Sequence, residues 1–315
     1  VHGDWSWYKY CSDSFMNICR SYSPVLQKFS IDECFIDMTL RLYKKDPVEV
    51  AVSLKDEIRS RLGFTVNVGV GSNKLLAKMA SDFEKPDKVH TLWEDEVPEK
   101  MWPLPVGDLL WIGRKTKARL TAYGLYTIGD LAHASKGLLT RLVGASYAEQ
   151  ILENANGRDH SPVETEAQEA KSISAERTFE KDICAPDLLD RALFKVACIV
   201  AHRLRRSEFR ASTVSVFVKY SDFTTSQKQG KTSQPTDITA LILQEARRLL
   251  TLAWDGVSPI RQIGLGVSSL THDTSVQMSL FEDPKIQYYR DWDSQYDASI
   301  EEDPKQAAYF TKTSK

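Results

Sequence analysis

Residues 30–39, SIDECFIDMT, decide how this chain is read. Asp32 and Glu33 are adjacent carboxylates set among apolar residues of strand character. Burying them costs several kcal/mol unless positive charge is supplied. A divalent cation supplies it. Mg²⁺ takes one or two carboxylates together with substrate phosphates, as phosphoryl-transfer sites do. Successive strand residues point to opposite faces, so both carboxylates reach one ion only if they flank a bend. The competing reading is an acidic hairpin turn in water.

Upstream of this stretch, residues 11–22 have helical period, with Phe15, Ile18 and Cys19 on one face, and Tyr22-Ser-Pro24 ends the helix. Residues 25–40 read as two strands around a turn. Downstream, 46–62 is a helix with Pro47 in its first turn and Gly63 as its stop. TVNVGV at 65–70 alternates and reads as a strand. Ser72 then caps a helix to about Asp82, and Lys85-Pro86 marks a turn. Residues 1–93 are thus expected to form a mixed sheet backed by helices. Gly69-Val-Gly71 lacks the third glycine of a phosphate loop and reads as strand-to-helix geometry. Lys74 and Lys78 share a helix face, with Lys85 at the helix exit. Near carboxylates they would clamp a triphosphate; alone they are a solvated lysine face.

Residues 94–160 read as short helices separated by glycines. Within them Leu110-Trp111-Ile112-Gly113-Arg114-Lys115-Thr116 joins two helices by a glycine turn. Such a turn offers backbone N–H groups to one phosphate, or is a plain helix hairpin. Residues 161–172 are a polar linker. Residues 173–271 give the order β-α-β-β-α-β, the split arrangement of ferredoxin-like folds, with 224–236 read as a polar loop or poorly ordered strand. The remainder, 272–315, reads as a flexible acidic tail. It contains Gln277-Met-Ser-Leu280-Phe281, a candidate docking peptide or a chance match.

Composition sets the outer limits. The 315 residues are 42% hydrophobic with a net charge of −2, which excludes disorder across the whole chain. No run approaches the roughly 20 apolar residues of a membrane helix. Five cysteines without a C-x-x-C pair fit a reducing cytoplasm. His133, His160 and His202 lack metal-like spacing, and no hydrolase motif is present. Charge is uneven: 171–271 carry 15 Lys and Arg against 10 Asp and Glu, while 272–315 carry 5 against 9. The basic module points to an anionic partner, with nucleic acid the commonest. The chain opens on Val1 rather than Met, which suggests a fragment.

In order, these segments resemble the Y-family of DNA polymerases, the translesion enzymes of the DinB/UmuC type. SIDECFIDMT is similar to that family's second catalytic motif, and VGVGSNKLLAKMASDFEKP to its N-K-x-x-A-K-x-A-S…K-P segment. The Gly113 turn resembles the thumb's helix-hairpin-helix. KSISAERTF at 171–179, with RLRRSEFRASTVSVFVKYSDF at 203–223, resembles the little finger. QMSLF resembles a motif that binds the bacterial sliding clamp. The implied fold is α+β and multidomain: a partial palm at 1–93, a helical thumb at 94–160, a ferredoxin-like little finger at 173–271 and the tail.

The resemblance implies that Asp32 and Glu33 are catalytic ligands of a two-ion Mg²⁺ site, with Asp37 supporting the sheet. Lys85 would contact a deoxynucleoside triphosphate. Ile112, Gly113, Arg114 and Lys115 would hold a phosphate of primer–template DNA. Lys171, Arg210 and the basic strands would track the duplex, and Gln277, Leu280 and Phe281 would fill the clamp pocket. The implied reaction is attack of the primer 3′-OH on the α-phosphate, catalysed by a cytoplasmic monomer with no membrane partner. Two departures stand out. The family's opening motif, with another aspartate and an aromatic steric gate, is absent, so the chain alone is expected to be inactive. The hairpin reads Trp111-Ile112-Gly113 where the family has Gly-x-Gly. The alternatives are a non-catalytic DNA- and clamp-binding remnant, or a helix-hairpin-helix repair scaffold.

Overall fold

A computed structural model describes residues 3–39, 45–166, 169–272 and 285–302. The chain divides into two compact units, Val1–Ala167 and Gln168–Lys315. Among the described residues, no helix is long and apolar enough to cross a membrane.

The first unit opens with α1 (Trp5–Tyr22), whose start is fixed by Asp4 accepting from the Ser6 and Trp7 amides. It begins six residues earlier than periodicity suggests, because Trp5, Trp7, Tyr8 and Tyr10 are exposed and mask the pattern. Phe15, Met16, Ile18 and Cys19 are its buried face. The antiparallel hairpin β1 (Leu26–Lys28) and β2 (Cys34–Ile36) places Leu26 opposite Ile36 and Gln27 opposite Phe35. α2 (Pro47–Leu62) is capped by Asp46 and ended by Gly63 in the left-handed region (φ 75°). α1, Leu26 and the Leu54 and Ile58 side of α2 share one small core.

The mixed sheet expected here is instead two separate two-stranded sheets, β1–β2 and a parallel pair of β3 (Val68–Gly71) and β4 (Val89–Leu92). Between the latter runs α3 (Lys74–Ser81), capped by Asn73 rather than Ser72, with the Asn73 carboxamide oxygen accepting from the Leu76 amide at 2.9 Å. The helix lies so close on β3 that a Cβ at Gly69 would fall 1.9 Å from the Ala77 carbonyl oxygen. Gly69 is therefore a packing glycine, as its lack of a phosphate-loop pattern suggested.

The helical segment holds α4 (Arg114–Thr121), α5 (Ile128–Ala132), α6 (Lys136–Val143) and α7 (Ala145–Ala155). Its core is continuous with Leu75, Leu76 and Met79 of α3 and Leu92 of β4. The boundary placed at residue 93 therefore does not separate two cores.

The second unit is a four-stranded antiparallel sheet in the order β5-β8-β6-β7, with β5 (Ser172–Ile183), β6 (Arg210–Tyr220), β7 (Thr225–Thr236) and β8 (Ile260–Thr271). Helices α8 (Pro186–Arg206) and α9 (Thr239–Ala253) cover one face. The β-α-β-β-α-β order is as read. β7, read as loop or poor strand, is a full twelve-residue strand. Its sequence, TSQKQGKTSQPT, has no apolar alternation because it is an edge strand held through its ladder to β6.

The tail is also not wholly without structure. Residues 285–302 form α10 (Lys285–Glu302). Tyr296 and Ile300 pack with Cys198 of α8. Asp293, 3% exposed, accepts from the Thr239 amide at 3.0 Å and from its hydroxyl. Asp297 pairs with Arg205 at 2.6 Å and His202 at 2.8 Å. The Trp292, Tyr296, Ile300 spacing carries this helix; the surrounding charge hid it.

Candidate functional site

Asp32 and Glu33 sit in the turn between β1 and β2, closed by the Phe29 and Ser30 amides donating to the Glu33 carbonyl at 2.9 and 3.1 Å. They do flank a bend. Asp32 is exposed and accepts from the Ser30 hydroxyl at 2.6 Å. Glu33 pairs with Lys78 at 2.7 Å. Asp37 accepts from the Thr39 amide at 2.9 Å, and the Thr39 side chain together with that amide holds its carboxyl below the usual range.

Both sequence motifs meet in one cavity of 1080 Å³, lined by Asp32, Glu33, Asp37, Lys74, Lys78 and Lys85. Lys78 is 15% exposed and bridges Glu33 and Asp82, the latter at 3.0 Å. Burial opposes its charge, but the bonds to Glu33 and Asp82 outweigh that and hold the ammonium above the ordinary lysine range. Lys85 is 59% exposed and pairs with the other Asp82 oxygen at 2.7 Å. Burial pushes the Asp82 carboxyl up, yet Lys85 and Lys78 together pull it below the ordinary range. Lys74 donates to Gln27 Oε1 at 3.0 Å and lies 5.7 Å from the centre of the Phe35 ring. Asp82 was missed in the sequence, although its spacing of four from Lys78 and three from Lys85 signals it. The Glu33–Lys78 pair, 45 residues apart, had no local signal.

Among the described residues, no group of three or more His, Cys, Asp or Glu side chains is placed to hold a metal ion. Two adjacent carboxylates at a bend remain. That donor set is too small for an all-protein cage but fits Mg²⁺, which completes its shell with phosphate oxygens and water.

The hairpin turn departs from expectation. Ile112 is 7% exposed, and its amide donates to the Leu109 carbonyl at 3.0 Å. Its side chain belongs to the core and its N–H is used, so Ile112 is removed from the phosphate-binding set. Gly113 stands at the N-cap of α4 with no side-chain cap, and Arg114 and Lys115 are exposed in the first turn. The first turn of a helix leaves backbone N–H groups without intrahelical partners, and these favour an anion. Trp111 has a φ of 76°, the left-handed region, which costs a residue with a Cβ on the order of 1–2 kcal/mol.

In the second unit the sheet face away from α8 and α9 carries Thr213, Ser215, Phe217 and Lys219, registered against Lys231, Gln229, Gln227 and Thr225. Gly264 and Gly266 continue this polar face on β8. Lys171 is exposed at the start of β5, and Arg210 is half-buried at the start of β6. Gln277, Leu280 and Phe281 lie outside the described residues.

The chain is similar to several known proteins. Sequence models of the impB/mucB/samB family match residues 1–82, its HHH motif 94–125 and its C-terminal domain 170–280. The chain is 37% identical over 276 residues to DNA polymerase IV of Clostridium acetobutylicum, covering 88% of this chain and 69% of that protein. It is 34% identical over 277 residues to DNA polymerase IV 1 of Bacillus subtilis, covering 87% and 66%. The chain thus spans about two thirds of these relatives' length. Among solved structures, a Y-family DNA polymerase chimera of Dbh and Dpo4 aligns with a TM-score of 0.72 at 24% identity, over 84% of this chain and 76% of that one.

Proposed function

The chain belongs to the impB/mucB/samB family of DinB-type, Y-family DNA polymerases, and from that premise we propose that it serves template-directed DNA synthesis past damaged bases. The observation that carries this reading is the cavity that brings Asp32 and Glu33 together with Lys74, Lys78 and Lys85. Carboxylates alone would repel a triphosphate and lysines alone would hold no cation; side by side they suit a cation–triphosphate complex.

Asp32 and Glu33 would hold Mg²⁺, two ions in the complete enzyme, which when bound lowers the cost of ionising a primer hydroxyl and of gathering charge on pyrophosphate. Lys85 is free to swing from Asp82 to the triphosphate, since it is 59% exposed and held by one contact. Lys78 would hold Glu33 in place until the cation displaces it. Gly113, Arg114 and Lys115 would hold one backbone phosphate, while Lys171, Arg210 and the polar sheet face of the second unit follow others. Phosphate contacts position DNA without reading sequence, so no sequence preference is expected. Gln277, Leu280 and Phe281 would dock on a bacterial sliding clamp. The chain would act in the cytoplasm as a monomer.

The aspartate and steric-gate residues of the family's opening motif are not among these 315 residues. We therefore infer that nucleotide addition needs a longer chain. Primer extension by the chain joined to the sequence encoded upstream of Val1 tests the reading. Asp32→Ala should abolish addition and leave DNA binding intact; substantial residual synthesis would show the ligands to be wrong. Clamp binding should be lost in Leu280→Ala/Phe281→Ala with DNA binding kept.

A further inference from the structure

Trp111 combines three features that belong together only if its ring is needed. Its backbone is left-handed, a conformation glycine adopts freely. Its strain is held from two sides: Tyr147 Oη of α7 donates to the Trp111 carbonyl at 2.7 Å, and Ile112 is anchored in the core. The residue is 57% exposed, so hydrophobic burial does not account for it. What the ring does touch is Phe29, edge to face, with centroids 5.9 Å apart and planes at 73°. Phe29 in turn meets Phe35 edge to face at 5.3 Å, and Lys74 lies over Phe35. Phe29 is also the residue whose amide closes the turn bearing Asp32 and Glu33. Strained residues persist where the surrounding structure over-determines them, and they collect at functional sites.

We propose that Trp111 is a positioning residue: its left-handed backbone aims the indole at Phe29, and the aromatic row Trp111–Phe29–Phe35 braces the carboxylate turn of residues 29–33 from the α4 side. The hairpin turn that offers N–H groups to a phosphate and the turn that offers carboxylates to a cation then share one rigid contact. A glycine at 111 would relax the backbone and remove the brace.

The test is amide hydrogen exchange on the 315-residue chain without DNA, which excludes any effect of a base stacking on the ring. In Trp111→Gly the Phe29 and Ser30 amides should exchange about threefold to tenfold faster, the range one aromatic pair supports. Amides of the β6–β8 ladder should be unchanged. Trp111→Phe, which restores a ring, should bring exchange back toward the native rate. In a Phe29→Leu background, Trp111→Gly should add nothing further. Unchanged exchange in Trp111→Gly, equal exchange in the Phe and Gly variants, or additive effects with Phe29→Leu would each overturn the proposal. Its consequence for the cation rests on the reading of Asp32 and Glu33 as ligands: Mn²⁺ affinity should fall in Trp111→Gly. If Asp32→Ala leaves Mn²⁺ binding untouched, that reading fails while the exchange result still judges the brace.

Discussion

Replacing Lys78 by Met gives the sharpest test of how the carboxylate site is held before a cation arrives. Met keeps most of the aliphatic stem in a side chain that is 15% exposed, so packing changes little. What is lost is the bridge to Glu33 at 2.7 Å and to Asp82 at 3.0 Å. Those partners are 38% and 44% exposed, so both contacts are screened and each is worth about 0.2–1 kcal/mol. Together they amount to roughly 1 kcal/mol, or a fall of about 2–4 °C in Tm for a unit of this size. The effect on cation binding has the opposite sign. Lys78 and a divalent ion compete for one carboxylate, so removing the lysine should tighten Mn²⁺ by about fivefold, the equivalent of about 1 kcal/mol. Mn²⁺ titration followed by electron paramagnetic resonance, with Asp32→Asn as the non-binding control, measures this. Equal or weaker Mn²⁺ affinity in Lys78→Met would refute the competition.

Three other outcomes follow from the same contacts. Asp293→Ala removes the acceptor at the start of α9 and an ion pair with Arg205 at 3.2 Å, and should destabilise the second unit by about 2–3 kcal/mol in urea unfolding; an unchanged midpoint would show α10 to be an incidental neighbour. Burial raises the Asp297 carboxyl, but Arg205 and His202 outweigh it and hold its pKa below the ordinary value. Its contribution is therefore present above the unfolded Asp value and lost as pH falls through the folded one, so the stability gap to Asp297→Asn should be full above about pH 5 and close on acidification. Arg114→Ala and Lys115→Ala should each weaken DNA binding uniformly across sequences and reduce its salt slope by about one; an unaltered slope would remove the α4 start from the phosphate contacts.

Much of this fold was legible because its signals are local. Pro47 and Gly63 bracket α2, Gly69 marks the close approach of α3, and the alternation of Val214, Val216 and Val218 declares β6. Three failures have physical causes. β7 is polar on both faces, so its strand character resides in backbone pairing that no side chain reports. α10 buries only a narrow stripe under a charged exterior, and composition outweighed that spacing. The split of the first unit's sheet depends on which strands find partners, which is a tertiary property. At the site, both motifs were visible but their convergence was not, because Glu33 and Lys78 are 45 residues apart and meet only in the folded chain. Ile112 was assigned by its place in a motif, whereas its burial follows from its neighbours.

The strand order of the second unit also sets a timetable. β5 has one neighbour, β8, and Ser172 waits for Ser268 while Ile183 waits for Ile260. At roughly 5–20 residues per second of synthesis, the edge of β5 would stay open for on the order of 4 to 20 seconds after it emerges. An open edge is a template for pairing with another chain. The β1–β2 hairpin has no such interval, since its partners are a few residues apart. A premature stop before β8 would therefore keep the residues that pair β6 with β7 yet leave β5 permanently without its partner, an open edge that should direct such products to chaperones and proteases.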